Sequence, residues 1–82
     1  MEAGTTGGSI AVKEYLVIYE WAGSNYSAYA PDLPGCVAVG DTLEETEGLM
    51  REAIKLYIEA LREDGQAVPE PTSTARPVKV GV

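Results

Sequence analysis

Pro31-Asp32-Leu33-Pro34-Gly35 constrains this chain more than any other segment. Two prolines and a glycine within five residues exclude a helix interior and a central strand. The apolar stretches on either side, Tyr26 to Ala30 and Cys36 to Val39, must therefore be separate short strands joined by a tight turn. Gly40 ends the second of them, and Asp41-Thr42 opens a helix. Thr42 has the chemistry of an N-cap, and Glu45 three residues later completes a capping box.

The helical pattern runs to Gly65, a residue suited to the left-handed position after a helix end. Its apolar stripe is Leu43, Thr46, Met50, Ala53, Ile54, Tyr57, Ile58 and Leu61. Glu44, Glu45 and Glu47 complement the positive end of the helix dipole. Upstream, residues 11 to 21 read as a first strand rich in Val, Ile, Tyr and Trp. Tyr15, Val17, Tyr19 and Trp21 share one face of it, and Val12, Leu16 and Ile18 share the other. Ala22-Gly23-Ser24-Asn25 is a hairpin turn, so the second strand runs antiparallel to the first. Downstream, Val68-Pro69-Glu70-Pro71 is an extended connector. Pro77 to Val82 alternates as a last strand, at an edge because Pro77 lacks an N–H. Residues 1 to 10 form a Gly/Thr/Ser-rich tail with the composition of disorder, and 11 to 82 make one domain.

The order strand, strand, strand, helix, strand gives a two-layer α+β fold: a small, mainly antiparallel sheet with one long helix on one face. Four strands span about 19 Å, whereas a helix is about 10 Å wide. One helix covers part of one sheet face and leaves the other open. Apolar residues on both faces of the first strand then call for a second molecule. An 82-residue chain also gains from such help, because it buries only about 60–65% of its unfolded surface. A lone cysteine excludes an internal disulfide, and without histidine a structural zinc site lacks ligands. Oligomerisation is the remaining support, and the expectation is a homo-oligomer, dimer or tetramer.

The charge of −7, from 13 acidic and 6 basic residues, leaves no basic footprint for nucleic acid. It suits a basic protein partner instead. No stretch approaches the ~20 apolar residues of a membrane span, and the first residues lack the pattern of a signal peptide. One unpaired cysteine and no export signal point to the cytoplasm. Catalytic chemistry finds little to work with. Asp32, Asp41 and Asp64 stand in a turn, beside a cap and at a helix end, with no reason to converge on a metal. Cys36 has no histidine to activate it. The aromatics of the first two strands lack the neighbouring cations of a nucleic-acid stacking platform. The expectation is a non-enzyme with no metal and no cofactor.

From the first strand through the Pro-Asp-Leu-Pro-Gly-Cys turn, the capped helix and Pro69-Glu70-Pro71, the chain resembles the HicB-like antitoxin domain. The resemblance covers roughly residues 12 to 82. It implies a partial ribonuclease-H-like layout. It also implies a binding protein that neutralises a small basic HicA-like messenger-RNA interferase by occluding its active site. Asp32, Leu33 and Pro34 of the turn, with Glu44 and Glu47 at the helix start, are then the candidate partner contacts. Tyr15, Val17, Tyr19 and Trp21 are the candidate oligomer interface. Members of this family often carry a further DNA-binding module, and no such segment is read here. An orphan oligomeric member without a toxin, or a degenerate ribonuclease-H-like nuclease, are the alternatives.

Overall fold

A computed structural model describes residues 12–82. The expected N-terminal tail lies outside the described residues. Three strands and one helix follow in chain order: β1 (Ile18–Trp21), β2 (Tyr26–Tyr29), β3 (Val37–Gly40) and α1 (Leu43–Glu63). The strands form an antiparallel meander in the order β1-β2-β3. The α+β reading holds, with three strands among the described residues where four were expected.

The connections follow from local chemistry. Between β1 and β2 the Ala22 N–H donates to the Asn25 carbonyl at 2.8 Å, and Gly23 takes the positive φ of 95° that the turn requires. Between β2 and β3 the chain makes two successive β-turns. Leu33 N–H reaches the Ala30 carbonyl, and Cys36 N–H reaches the Leu33 carbonyl, both at 3.0 Å. Pro34 and Gly35 are the central pair of the second turn, and Gly35 has φ 84°, the requirement of a type II turn at that place. Ala30 N–H donates to Cys36 O at 3.2 Å and closes the loop.

The helix begins and ends as its sequence signals indicate. Thr42 Oγ1 accepts from Glu45 N–H at 3.0 Å. The Glu45 carboxylate returns one residue further than the usual box and accepts from Asp41 N–H at 2.7 Å. At the other end Gln66 N–H bonds to Leu61 O, and Gly65 N–H to Arg62 O, with Gly65 at φ 70°. That pair of bonds is a Schellman motif.

Two expected strands turn out differently. The first is only Ile18–Trp21, because β2, its partner among the described residues, ends at Tyr29, opposite Ile18, shortly before Pro31. A proline has no N–H with which to continue the ladder. The last strand is absent from the single chain: residues 66–82 carry neither helix nor strand, and residues 74–82 are all exposed. Pro77 brings no donor, and among the described residues no strand pairs with the valines that follow.

Cross-strand neighbours assign the two sheet faces. Tyr19, Ala28 and Ala38 lie side by side on the face toward α1, as do Trp21, Tyr26 and Gly40. Ile18, Tyr29 and Val37 lie on the other face, as do Glu20, Ser27 and Val39. The core between sheet and helix is small. Ala28, Ala30, Leu33, Cys36 and Met50 are its buried hydrophobics, and Tyr15, Val17, Tyr19, Ile54 and Tyr57 pack around them. The opposite face is open, with Val37 62% and Val39 57% exposed. An uncovered sheet face was expected, and here it belongs to Ile18, Tyr29, Val37 and Val39.

Gly40 sets how closely β3 meets the helix. A Cβ there would stand 2.6 Å from Thr46 Oγ1 and 3.1 Å from Thr46 N. Thr46 is fully buried, and its hydroxyl donates to Thr42 O at 2.7 Å, so it has nowhere to move. Gly48, inside the helix, has no such neighbour within 4 Å. The two glycines should therefore respond oppositely to alanine. Gly40→Ala is expected to destabilise by about 1–3 kcal/mol through overpacking. Gly48→Ala is expected to stabilise by about 0.5–1 kcal/mol through helix propensity. Urea denaturation at one fixed protein concentration measures both.

Candidate functional site

The turn that joins β2 to β3 divides its residues between three tasks. Leu33 points inward and is fully buried. Asp32, its neighbour, reaches the C-terminal segment. Oδ2 accepts the N–H groups of Thr72 and Ser73, each at 3.0 Å. Oδ1 accepts the hydroxyls of the same two residues, at 3.1 and 2.9 Å. Pro34 alone of the three faces solvent. As partner contacts, then, Asp32 and Leu33 are already committed within the chain, while Pro34 is free. Two nearby bonds fix the same segment: Tyr15 OH donates to Pro69 O at 2.6 Å, and Lys13 Nζ pairs with Glu70 Oε2 at 2.8 Å.

Glu44 and Glu47 are both exposed, but they do not form one patch with the turn. The turn follows Tyr29 and precedes Val37, whereas the helix starts beyond Gly40, at the other end of β3. A four-residue strand separates them by about 13 Å. Closeness in sequence does not carry over, because β3 runs straight between the two. Glu47 lines an open groove between α1 and the segment leading into β1, together with Lys13, Tyr15, Tyr19, Met50 and Arg51. Within it the Tyr19 phenol is pushed above its ordinary value, first by burial and then by Glu47, with Arg51 acting the other way.

Tyr15, Val17 and Tyr19 pack against the core cluster under α1, and Trp21 lies on the same sheet face, tilted against Tyr26 with ring centroids 5.0 Å apart. Three of these four residues thus contribute to the chain's own core, while Trp21 remains 57% exposed. Asp32, Asp41 and Asp64 stay apart, in the turn, beside the N-cap and at the C-cap. Among the described residues no three His, Cys, Asp or Glu side chains gather as metal ligands. Cys36 is buried, and that burial raises its thiol pKa.

The helix presents one surface that the stripe of expected core positions did not include. Leu49 and Leu56 are 43% and 62% exposed. At 100° per residue they lie on the flank opposite Ile54 and Ile58, which face Lys13 and Tyr15 on the β1 side. Glu45, Glu52, Glu59 and Glu63 run alongside that flank, all exposed. Their signal in the sequence is that two leucines seven residues apart fall off the core stripe.

The Asp32 clip has a defined pH dependence. The four hydrogen bonds to Thr72 and Ser73, the Ser73 N–H first, hold the carboxyl below its ordinary value of 3.8, with partial desolvation opposing. A depressed folded-state pKa contributes stability that is present above the unfolded value and is lost as pH falls through the folded one. The Thr72 and Ser73 amide proton resonances are therefore expected to titrate together with a midpoint below 3.8. Asp32→Asn should abolish that step. NMR titration of the labelled chain measures it.

Comparison with known proteins accords with this architecture. Residues 15–80 match the family model described as the HicB-like antitoxin of bacterial toxin–antitoxin systems. The chain is 42% identical over 55 residues to the UPF0150 protein ssr1765 of Synechocystis, covering 67% of this chain and 70% of that one. It is 33% identical over 58 residues to the UPF0150 protein Ta0767 of Thermoplasma acidophilum, covering 71% and 84%. It is 38% identical over 56 residues to an uncharacterised 14.9 kDa protein from the rep-hol intergenic region of Haemophilus phage HP1. That match takes in 68% of this chain but only 42% of the phage protein. No solved structure matches. With nearly all of its described residues inside the family match, the chain belongs to the HicB-like antitoxin family.

Proposed function

We propose that this chain is a non-enzymatic antitoxin that binds a small basic HicA-like messenger-RNA interferase and occludes its active site. The observation that carries the reading is the family match over residues 15–80, combined with a helix whose open flank is both apolar and acidic. Leu49 and Leu56 supply desolvating anchors of the kind that dominate interfaces. The row from Glu45 to Glu63 and the charge of −7 supply attraction for a cationic RNA-cutting surface. Glu44, Glu47 and Pro34 remain free to contribute at the rim. A nuclease of the ribonuclease-H kind is the weaker reading, since it needs several carboxylates converging on metal ions.

The test is inhibition of RNA cleavage by a basic interferase encoded beside this chain. The intact antitoxin should suppress cleavage at equimolar ratio. Leu49→Asp with Leu56→Asp should weaken the complex by about 2 kcal/mol or more, roughly thirtyfold in Kd. Helical circular dichroism should be retained, because both side chains are already exposed. Glu44→Gln with Glu47→Gln leaves the Thr42/Glu45 cap intact and should mainly slow association. That difference should shrink as salt shortens the Debye length to about 8 Å. Failure to bind any adjacent interferase would favour an orphan oligomeric protein. Metal-dependent RNA cleavage by the chain itself would promote the enzyme reading.

A further inference from the structure

The outer flank of α1 carries a repeat that the core between sheet and helix does not use. Glu45, Leu49, Glu52, Leu56, Glu59 and Glu63 follow one another at steps of four, three, four, three and four residues. Such steps are those of a heptad seam. At 3.6 residues per turn the six side chains fall within an arc of about 80°. All six are exposed, and the arc is centred well away from Met50, Ile54 and Tyr57, which pack toward the sheet. The seam runs about 27 Å along the helix. Its borders are small residues, Ala53 and Ala60 on one side and Gly48 on the other. A Cβ at Gly48 would meet nothing within 4 Å. Small residues beside a seam let a second helix approach closely.

We infer that this seam receives one α-helix of a basic partner, with lysine or arginine recurring every seven residues opposite the glutamates and apolar residues between them. The inference rests on the antitoxin reading and adds to it the kind of element that the toxin brings. Spacing selects a helix. Glu45, Glu52 and Glu59, like Leu49 and Leu56, recur every seven positions, a distance of about 10.5 Å. A second helix repeats over the same distance and stays in step along the whole seam. One face of a strand repeats about every 6.8 Å, so a strand falls out of step after its first contact. Charge selects a partner other than this chain. Four of the six seam residues are glutamates, so two such seams face to face would set carboxylate against carboxylate. Glu59 and Glu63, four residues apart, already repel each other within the helix. A cationic helix turns these repulsions into attractions, while Leu49 and Leu56 are buried against its apolar positions.

Synthetic peptides of about 20 residues, long enough to form a helix, probe the seam without a toxin. One repeats leucine and lysine at heptad spacing on an alanine–glutamine helix. A second has the same composition with leucine and lysine in two-residue alternation. Fluorescence anisotropy against the full-length chain should show the heptad peptide bound at least about tenfold more tightly than the alternating one. Glu52→Lys with Glu59→Lys should weaken that peptide by at least about tenfold and admit a third peptide in which glutamates replace the lysines. Gly48→Leu changes no charge and adds bulk at the border of the seam, where its Cβ meets nothing in its own chain. It should weaken the heptad peptide by about tenfold with helical circular dichroism retained. Equal binding of the two lysine peptides would overturn the inference, as would a charge-reversed variant that binds the lysine heptad as before. Suppression of RNA cleavage by the adjacent interferase that survives both sets of substitutions would overturn it too, with the antitoxin reading intact. The heptad peptide bound as expected, with no interferase inhibited, would keep the seam as a helix-binding surface and remove only the toxin reading.

Discussion

Two adjacent side chains of one turn, Asp32 and Leu33, point in different directions, and the rest of the molecule depends on that division. Leu33 is the largest of the fully buried side chains among the described residues, in a core it shares there with four other buried hydrophobics. Burying a leucine contributes about 1.5–3 kcal/mol, a sizeable share of the 5–15 kcal/mol that holds a typical domain folded. Asp32 turns away and gathers four donors from two residues 40 and 41 positions later in the chain. The prolines and Gly35 hold the backbone so that both placements occur together. A turn that looks in sequence like a loop for binding partners thereby acts as the joint between the sheet, the core and the C-terminal segment.

What could be read from the sequence was what local chemistry determines. Gly23 and Gly65 in positive φ, Thr42 as the cap, and a helix running to Glu63 all follow from interactions spanning a few residues. What could not be read depends on distant pieces. The Asp32 clip joins the turn to Thr72 and Ser73, and no periodicity announces such a contact. The first strand stops at Ile18 because its partner strand ends before Pro31, although its own residues would support a longer one. Pro77 to Val82 has strand chemistry, but a strand exists only where an edge receives it, and among the described residues none does. Among the candidate contacts, Leu33 has the composition of an anchor and proves to be core, whereas Leu49 and Leu56, off the core stripe, are the exposed apolar pair.

These placements give the charge of the chain a spatial meaning. Acidic residues run along α1 beside its apolar flank, and the last basic residues, Arg76 and Lys79, lie on the exposed C-terminal segment. The helix flank thereby presents exposed leucines and carboxylates side by side. The clip at Asp32 fixes the course of the C-terminal segment against the turn.

Amide hydrogen exchange in the wild type and in Asp32→Ala tests this joint most directly. If Asp32 holds the C-terminal segment, Thr72 and Ser73 are protected in the wild type, and the substitution removes that protection while the amides of α1 and of the β2–β3 ladder keep theirs. Unchanged exchange at Thr72 and Ser73, or an equal loss of protection throughout the sheet and helix, would contradict the account.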